Sequence, residues 1–357
     1  LIKAGAEQPV AVAGAIFGVT VGSLAALLYM IVYKMRNYSF DAVSEPDVPE
    51  SAGTIFKNLL RIGIPIALGS VVLSLINLVD AGLCMTRLQN AVGFSYSHAN
   101  TLYGVYGKAQ TLFNLPAAFI TPLTISVVPA ISAKLVMGNK SEAGKISEDS
   151  LRISMALALP MGIGLAVLSE PIMKIIYPGA NEAGPALLGI LGIASVFVCF
   201  SLISTAILQA TGNEKLTLFS IIAGGLVKIT VNWFIVAIPS VNIFGAAIGT
   251  VCCYLTMCVL NVIFINRRFE KGMSMKNIVI RPAVPSIAMG VIAYAVYAAG
   301  MAFTSGGKLM MAAFMCAAIL AAVIVYAVAV IKLRVITAED MKLIPKGEKV
   351  AKLLHMR

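Results

Sequence analysis

Long apolar runs separated by short polar stretches dominate this chain. Nine runs predict helices over residues 10–32, 62–85, 111–133, 153–176, 186–208, 216–238, 243–265, 283–303 and 309–331. Each spans about 21–25 residues, enough to cross ~30 Å of hydrocarbon at a rise of 1.5 Å per residue. The fourth run is the least regular, because Glu170, Pro171 and Lys174 fall near its end. The stretch between the second and third runs, with Arg87 and Lys108, reads as an outer loop. Residues 37–51 are acidic and contain proline, which predicts a cytoplasmic linker. Residues 337–357 form a polar tail with room for a short surface helix.

The expected fold is therefore all-α and polytopic, with about nine transmembrane helices. Composition agrees. Of 357 residues, 59% are hydrophobic and 12% charged, and mean hydropathy is +0.92. A soluble domain carries about 25% charged residues. The net charge of +11 does not predict nucleic-acid binding, because the basic residues sit in short clusters between apolar runs. Anionic lipid headgroups are the partner such clusters fit. Lys and Arg also set orientation. If the first helix runs from outside to inside, 21 of the 27 Lys and Arg lie in inner segments and five in outer ones, with Lys228 inside a helix. The C-terminus is then cytoplasmic. The chain starts at Leu1 rather than Met, and its first residues read as an interior loop, so an N-terminal truncation is expected.

Six cysteines lie inside apolar runs without a CxxC pair, and there are two histidines. We expect neither a metal site nor a disulfide nor any cofactor. HExxH, GxSxG, Walker and DDxxD motifs are absent, so no enzyme activity is expected.

Charges at membrane depth are costly, about 2.5–3.5 kcal/mol each on insertion scales. Two stand out, Asp80 in the second helix and Lys228 in the sixth. Ser70, Ser74, Asn77 and Asp80 recur at spacings that put them close to one helix face. Such a stripe faces either a cavity or a partner helix. Lys228 has Gly224 one turn before it and Asn232 one turn after. It lies about 18 Å from either end of its predicted helix, so snorkelling to water is strained. An aqueous cavity and a structural ion pair both remain open. The third helix contains Pro116, Pro122 and Pro129. Their kinks need neighbouring groups to satisfy freed carbonyls, and Thr111, Asn114, Thr121 and Thr124 are near. Lys108 and Arg87 flank the outer loop before this helix and could meet an anionic headgroup or anchor the interface.

Several segments together carry a resemblance. These are RIGIPIALGSVVLSLINLVD, KAQTLFNLPAAFITPLTISVVPAISAKL, ALALPMGIGLAVLSEPIMKIIYPG, the tight loop QATGNEK, VKITVNWFIVAIPSVNIFGAAIGTVCCY and VITAEDMKLIPKGEKVAKLL. Their order and spacing resemble the polysaccharide-biosynthesis, stage V sporulation protein B type of lipid-linked oligosaccharide flippase. That branch belongs to the multidrug/oligosaccharidyl-lipid/polysaccharide exporter superfamily and is related to the peptidoglycan lipid II flippases. The resemblance implies a partial copy of a 14-helix, two-lobe fold, covering family helices six to fourteen. Residues 1–36 would hold the last helix of the N-terminal lobe and 37–57 the cytoplasmic linker. Residues 58–265 would form a six-helix C-terminal lobe, 266–336 two additional helices, and 337–357 the tail. It implies alternating-access transport of a polyprenyl-pyrophosphate-linked sugar by a monomer in the bacterial cell membrane. The roles it implies lie in cell-wall synthesis, cell shape or sporulation.

The implied cavity residues are Asn77, Asp80, Lys108, Thr111, Asn114, Lys228 and Asn232. Cationic ones would hold pyrophosphate, and Asp80 could couple a cation. The sequence departs from the lipid II branch at the start of the third helix, where that branch carries arginine. Here Thr111 and Lys108 are the nearest positions. Two other functions compete. One is a cation-coupled multidrug exporter with Asp80 as the coupling carboxylate. The other is a membrane scaffold for cell-wall synthesis. A membrane-embedded transferase would need acidic or histidine motifs at the inner face.

Overall fold

The computed structural model describes residues 8–37, 51–179, 183–269, 272–302 and 307–333. Most of the residues read as linker (38–50) and the tail beyond 333 lie outside the described residues. The chain divides into two compact units, residues 1–56 and 57–357. The first holds α1 (Gln8–Asn37) and the opening residues of α2 (Ala52–Asn90). Because α2 begins at Ala52, the last part of the expected 37–57 linker is helical.

The second unit continues α2 and adds α3 (Tyr96–Phe113), α4 (Leu115–Val136), α5 (Lys140–Val167) and α6 (Ser169–Ile176). After these come α7 (Ala183–Ala210), α8 (Glu214–Ile235), α9 (Phe244–Asn266), α10 (Arg281–Ala302) and α11 (Lys308–Lys332). A π-helical turn at Lys276–Ile280 leads into α10. Every described element is helical, and nine of these helices are long and apolar enough to cross a membrane.

The outer loop expected between the second and third runs is instead helix α3. Ser95 caps it, its side chain accepting from the His98 N–H at 3.3 Å. Its polar residues keep its hydropathy below that of a spanning helix. Even so, Leu102, Val105, Tyr106, Ala109, Leu112 and Phe113 are buried at helical spacing. The expected third helix is also two helices. Thr111 ends in α3, Asn114 occupies the break, and Pro116 sits in the first turn of α4. Proline is tolerated there because that N–H would have no intrahelical acceptor anyway. The hydroxyls of Thr121 and Thr124 bond to the carbonyls of Ala117 and Thr121. They do not reach Ala118 and Ile125, whose partners Pro122 and Pro129 remove. The irregular fourth run resolves the same way. It starts early, at Lys140, capped by Asn139, whose Oδ1 accepts from the Glu142 N–H. It then breaks at Leu168, and α6 carries Glu170 and Lys174 as an exposed pair at 2.5 Å.

Helix α7 is the hub, packed by α3, α4, α5, α6, α8 and α9. Two apolar clusters form around it. One joins α4, α5, α7 and α9 through residues such as Ile131, Leu151, Ile207 and Ile265. The other, toward the opposite ends of these helices, joins α2, α3, α7 and α9 through Leu88, Tyr106, Leu188 and Ala247. Helices α8 and α9 pair closely, and α10 pairs with α11 against α5 and α6.

Small residues set these close approaches, since lipid tails offer no hydrophobic contrast and packing itself must hold the helices together. A Cβ at Gly162 would lie 2.5 Å from Val196 Cγ2 and 2.7 Å from the Gly192 carbonyl oxygen. Gly162→Ala is therefore expected to prise α5 from α7 and cost about 1–3 kcal/mol. The check is the thermal unfolding midpoint of the detergent-solubilised protein. An unchanged midpoint would mean that this crossing is not tightly packed.

Candidate functional site

The two intramembrane charges meet. Lys228 Nζ lies 2.9 Å from Asp80 Oδ2, with both side chains about 95% buried. Asn232, fully buried one turn further along α8, donates through Nδ2 to Asp80 Oδ1. The Cys84 thiol donates to the same oxygen at 3.6 Å. Both oxygens of Asp80 are thus engaged. This is the arrangement a buried carboxylate needs, because an ion taken out of water must regain by pairing and hydrogen bonds what it loses in hydration.

The sequence builds this junction through glycine. Gly225 lies under Ile76 of α2, where a Cβ would come within 2.1 Å of Ile76 Cδ1. Gly224 lies against α9, where a Cβ would meet the Cys253 carbonyl oxygen at 2.8 Å. One glycine admits α2 and the other admits α9, so Lys228, one turn beyond Gly224, is brought against Asp80. Gly249 of α9 makes room for Asn232, since a Cβ there would lie 1.9 Å from Asn232 Oδ1. That oxygen has no hydrogen-bond partner among the described residues. The amide is oriented by its nitrogen, which the carboxylate requires.

Beside the pair lies a polar cavity of about 220 Å³. Of the candidate residues, Asn77, Asp80, Asn114 and Lys228 line it. Tyr103, Gln110, Phe113, Thr250 and Tyr254 complete the wall. Tyr103 and Gln110 fall where hydropathy ranks α3 with loops, and Phe113, Thr250 and Tyr254 fall in apolar runs that read as packing. The helical period of α3 and the G-A-A-x-G-T motif of α9 were the available signals. Tyr106, behind the wall, bonds through its hydroxyl to Thr250 Oγ1 at 3.1 Å and fixes α3 on α9.

Three expected residues are placed elsewhere. Asn232 sits behind the ion pair and orients Asp80 without lining the cavity. Lys108 points its ammonium toward the Tyr177 ring at the end of α6, 5.8 Å from the centroid. Thr111 is exposed, and its hydroxyl bonds back to the Gly107 carbonyl at 3.1 Å. In the stripe on α2, Ser70 and Ser74 are exposed and bond back to their own helix, so the buried polar part of that face is Asp80. Helix α8 ends at Ile235, so Lys228 lies only about 10 Å from that end by helix rise. It pairs with Asp80 nonetheless.

Beyond the pair, Arg87 ties the same two helices together. Its guanidinium lies 3.9 Å from the Trp233 ring centroid, and Nε donates to the Trp233 carbonyl at 3.0 Å. Arg87→Ala is expected to lower stability by about 1 kcal/mol, and Arg87→Lys to restore only part of it, since an ammonium cannot stack as a planar group. Thermal midpoints of the two variants check this. A lysine variant as stable as wild type would remove the stacking argument.

Comparison with known proteins places this geometry in context. Residues 2–338 match the family described as "Lipid II flippase MurJ". The chain is 26% identical to "Uncharacterized membrane protein YabM" of Bacillus subtilis (strain 168), over all of this chain and 66% of that protein. It is 22% identical to "Lipid II flippase MurJ" of the same organism, over 80% of this chain and 53% of that protein. The chain thus spans between about half and two thirds of the length of these relatives. Among solved structures, "Lipid II flippase MurJ, inward closed conformation" superposes with a TM-score of 0.58 at 15% identity. That likeness covers 88% of this chain and 61% of the solved one, and it shows the shared fold.

Proposed function

The chain belongs to the lipid II flippase MurJ family, and from that premise we propose that it moves a polyprenyl-pyrophosphate-linked oligosaccharide precursor of the cell wall across the bacterial cell membrane. The headgroup crosses through a cavity between helices by alternating access, and the lipid tail stays in the bilayer. The family match supports the transporter class. The observation that carries the residue-level reading is the Asp80–Lys228 pair in the wall of a polar cavity within apolar helices. A purely structural ion pair needs no open polar space beside it.

The pair divides the work. Lys228 is held by Asp80, so it offers a phosphate only the donors that the carboxylate leaves free. Asn77, Asn114, Gln110 and Thr250 supply neutral hydrogen bonds suited to sugar hydroxyls. Relative motion of α2 and α8 would open or close the ion pair, and its cost outside water sets the barrier between states. Asp80 also bears on the competing reading, a cation-coupled drug exporter. With both oxygens engaged, Asp80 has no lone carboxylate to offer a cationic drug. The C-terminus lies in the cytoplasm in this reading, and the working unit is a monomer.

The test is depletion of the full-length protein, followed by measurement of which lipid-linked precursor accumulates on the inner leaflet. Accumulation of a pyrophosphate-linked sugar is expected. Unchanged precursor distribution, together with tight binding of a cationic dye by the purified protein, would replace this reading with the drug exporter.

A further inference from the structure

The tight turn between α7 and α8, within the segment QATGNEK, borders a second cavity, of about 640 Å³. It lies toward the opposite end of α8 from Lys228, with Lys215 about 20 Å of helix away. Three basic side chains from three separate elements line it: Arg61 of α2, Lys215 in the first turn of α8, and Arg268 just past α9. Glu214 is the one carboxylate among the lining residues.

Arg268 is held in place. It donates through Nη2 to Asn213 Oδ1. Asn213 is 6% exposed and spends its own amide N–H groups on the Thr211 carbonyl and hydroxyl, both at 2.9 Å. The amide is therefore locked with its oxygen toward the guanidinium. Committed to Arg268, Asn213 makes no side-chain cap on α8. The positive end of the helix dipole stands at the same wall. Arg61 and Lys215 have no ion-pair partner among the described residues. Arg61 also immediately precedes the apolar run of α2.

We propose that this cavity is a diphosphate-binding site at the inner membrane face, where a lipid-linked headgroup docks before it enters the cavity beside Asp80. The charge fits. Three cations against one carboxylate leave a surplus of two, matching the two negative charges of a diphosphate diester, whereas an ordinary phospholipid carries one. Arginine forks pair bidentately with phosphate oxygens and hold their charge at any accessible pH. The docking role rests on the flippase reading, but the binding site itself does not.

The experiment uses the full-length protein in phosphatidylcholine nanodiscs, titrated calorimetrically with inorganic pyrophosphate and with farnesyl diphosphate. Short-chain phosphatidylglycerol is the competitor. Arg61→Gln and Arg268→Gln are each expected to weaken binding about tenfold or more. Lys308→Gln, a charge removed near the opposite end of the helices, is expected to bind as wild type. Arg61 has no ion-pair partner to lose among the described residues, so an unchanged thermal midpoint for Arg61→Gln separates lost binding from misfolding. Tighter binding of farnesyl diphosphate than of pyrophosphate supports docking from the membrane. Equal binding supports a site for the diphosphate group alone. If Arg61→Gln and Lys308→Gln both bind as wild type, the cations are only a solvated rim and the proposal falls. It falls equally if phosphatidylglycerol competes as well as farnesyl diphosphate does. A parallel flipping assay in proteoliposomes keeps the two readings apart. Arginine-dependent binding without any flipping by wild type would leave the site standing and remove the transport role. Flipping without arginine-dependent binding would do the reverse.

Discussion

Lys228→Met is expected to destabilise the protein by about 3–5 kcal/mol and to stop transport, because it leaves the Asp80 carboxylate almost wholly buried without its counter-charge. Asp80→Leu should do the same by stranding the ammonium. The two side chains are 2.9 Å apart and almost wholly buried, so a lone charge there could regain hydration only through the small polar cavity at its side. The informative variant is the double one. With both charges replaced by apolar groups of similar volume, most of the stability should return. If the pair serves transport, flipping should stay lost. Thermal midpoints and a flipping assay on the four proteins decide the matter. A single variant that melts like wild type would show the junction to be wet. A double variant that transports normally would reduce the pair to a structural tie.

Gly249→Ala carries the second large effect. Its Cβ would fall 1.9 Å from Asn232 Oδ1 and 2.9 Å from Asn232 Cγ. The Asn232 side chain is fully buried and bonded to Asp80, so it can yield only by breaking that bond or by pushing α8 from α9. Overpacking of this kind costs about 1–3 kcal/mol, and loss of a hydrogen bond to a buried carboxylate adds about 1.5–3 kcal/mol. Asn232→Ala should be harmful alone yet should cancel most of the penalty of Gly249→Ala. The two changes are then strongly non-additive in a double-mutant cycle. Additive costs would show that Gly249 and Asn232 do not share this space.

The sequence was most legible where a signal is local. Apolar runs marked all nine of the described helices that are long and apolar enough to cross a membrane, and the irregularity at Glu170 and Pro171 fell next to the break before α6. Chemically costly residues were legible as well. Asp80 and Lys228 stood out because a charge inside an apolar run demands a reason. The Gly224–Gly225 pair announced a close approach without saying of what. Helix α3 was hidden because hydropathy ranks it with loops. Its buried face was visible only as a weak periodicity in Leu102, Val105, Tyr106 and Ala109.

What the sequence determined by itself is the solvent of this protein: a bilayer, crossed by helices whose lengths hydrocarbon thickness dictates. It also determined which residues could not be left facing that solvent. Only the tertiary structure decided how they were satisfied. Asn232 and Asp80 are 152 positions apart, and nothing in either segment encodes the other. The packing of α2 and α9 onto two adjacent glycines of α8 brings them together, leaves Asn77 and Asn114 on an open polar wall, and sends Lys108 to Tyr177 instead. Hydropathy is a property of one segment. Partnership depends on which side chains fit between particular helices, and that is fixed only when the helices pack.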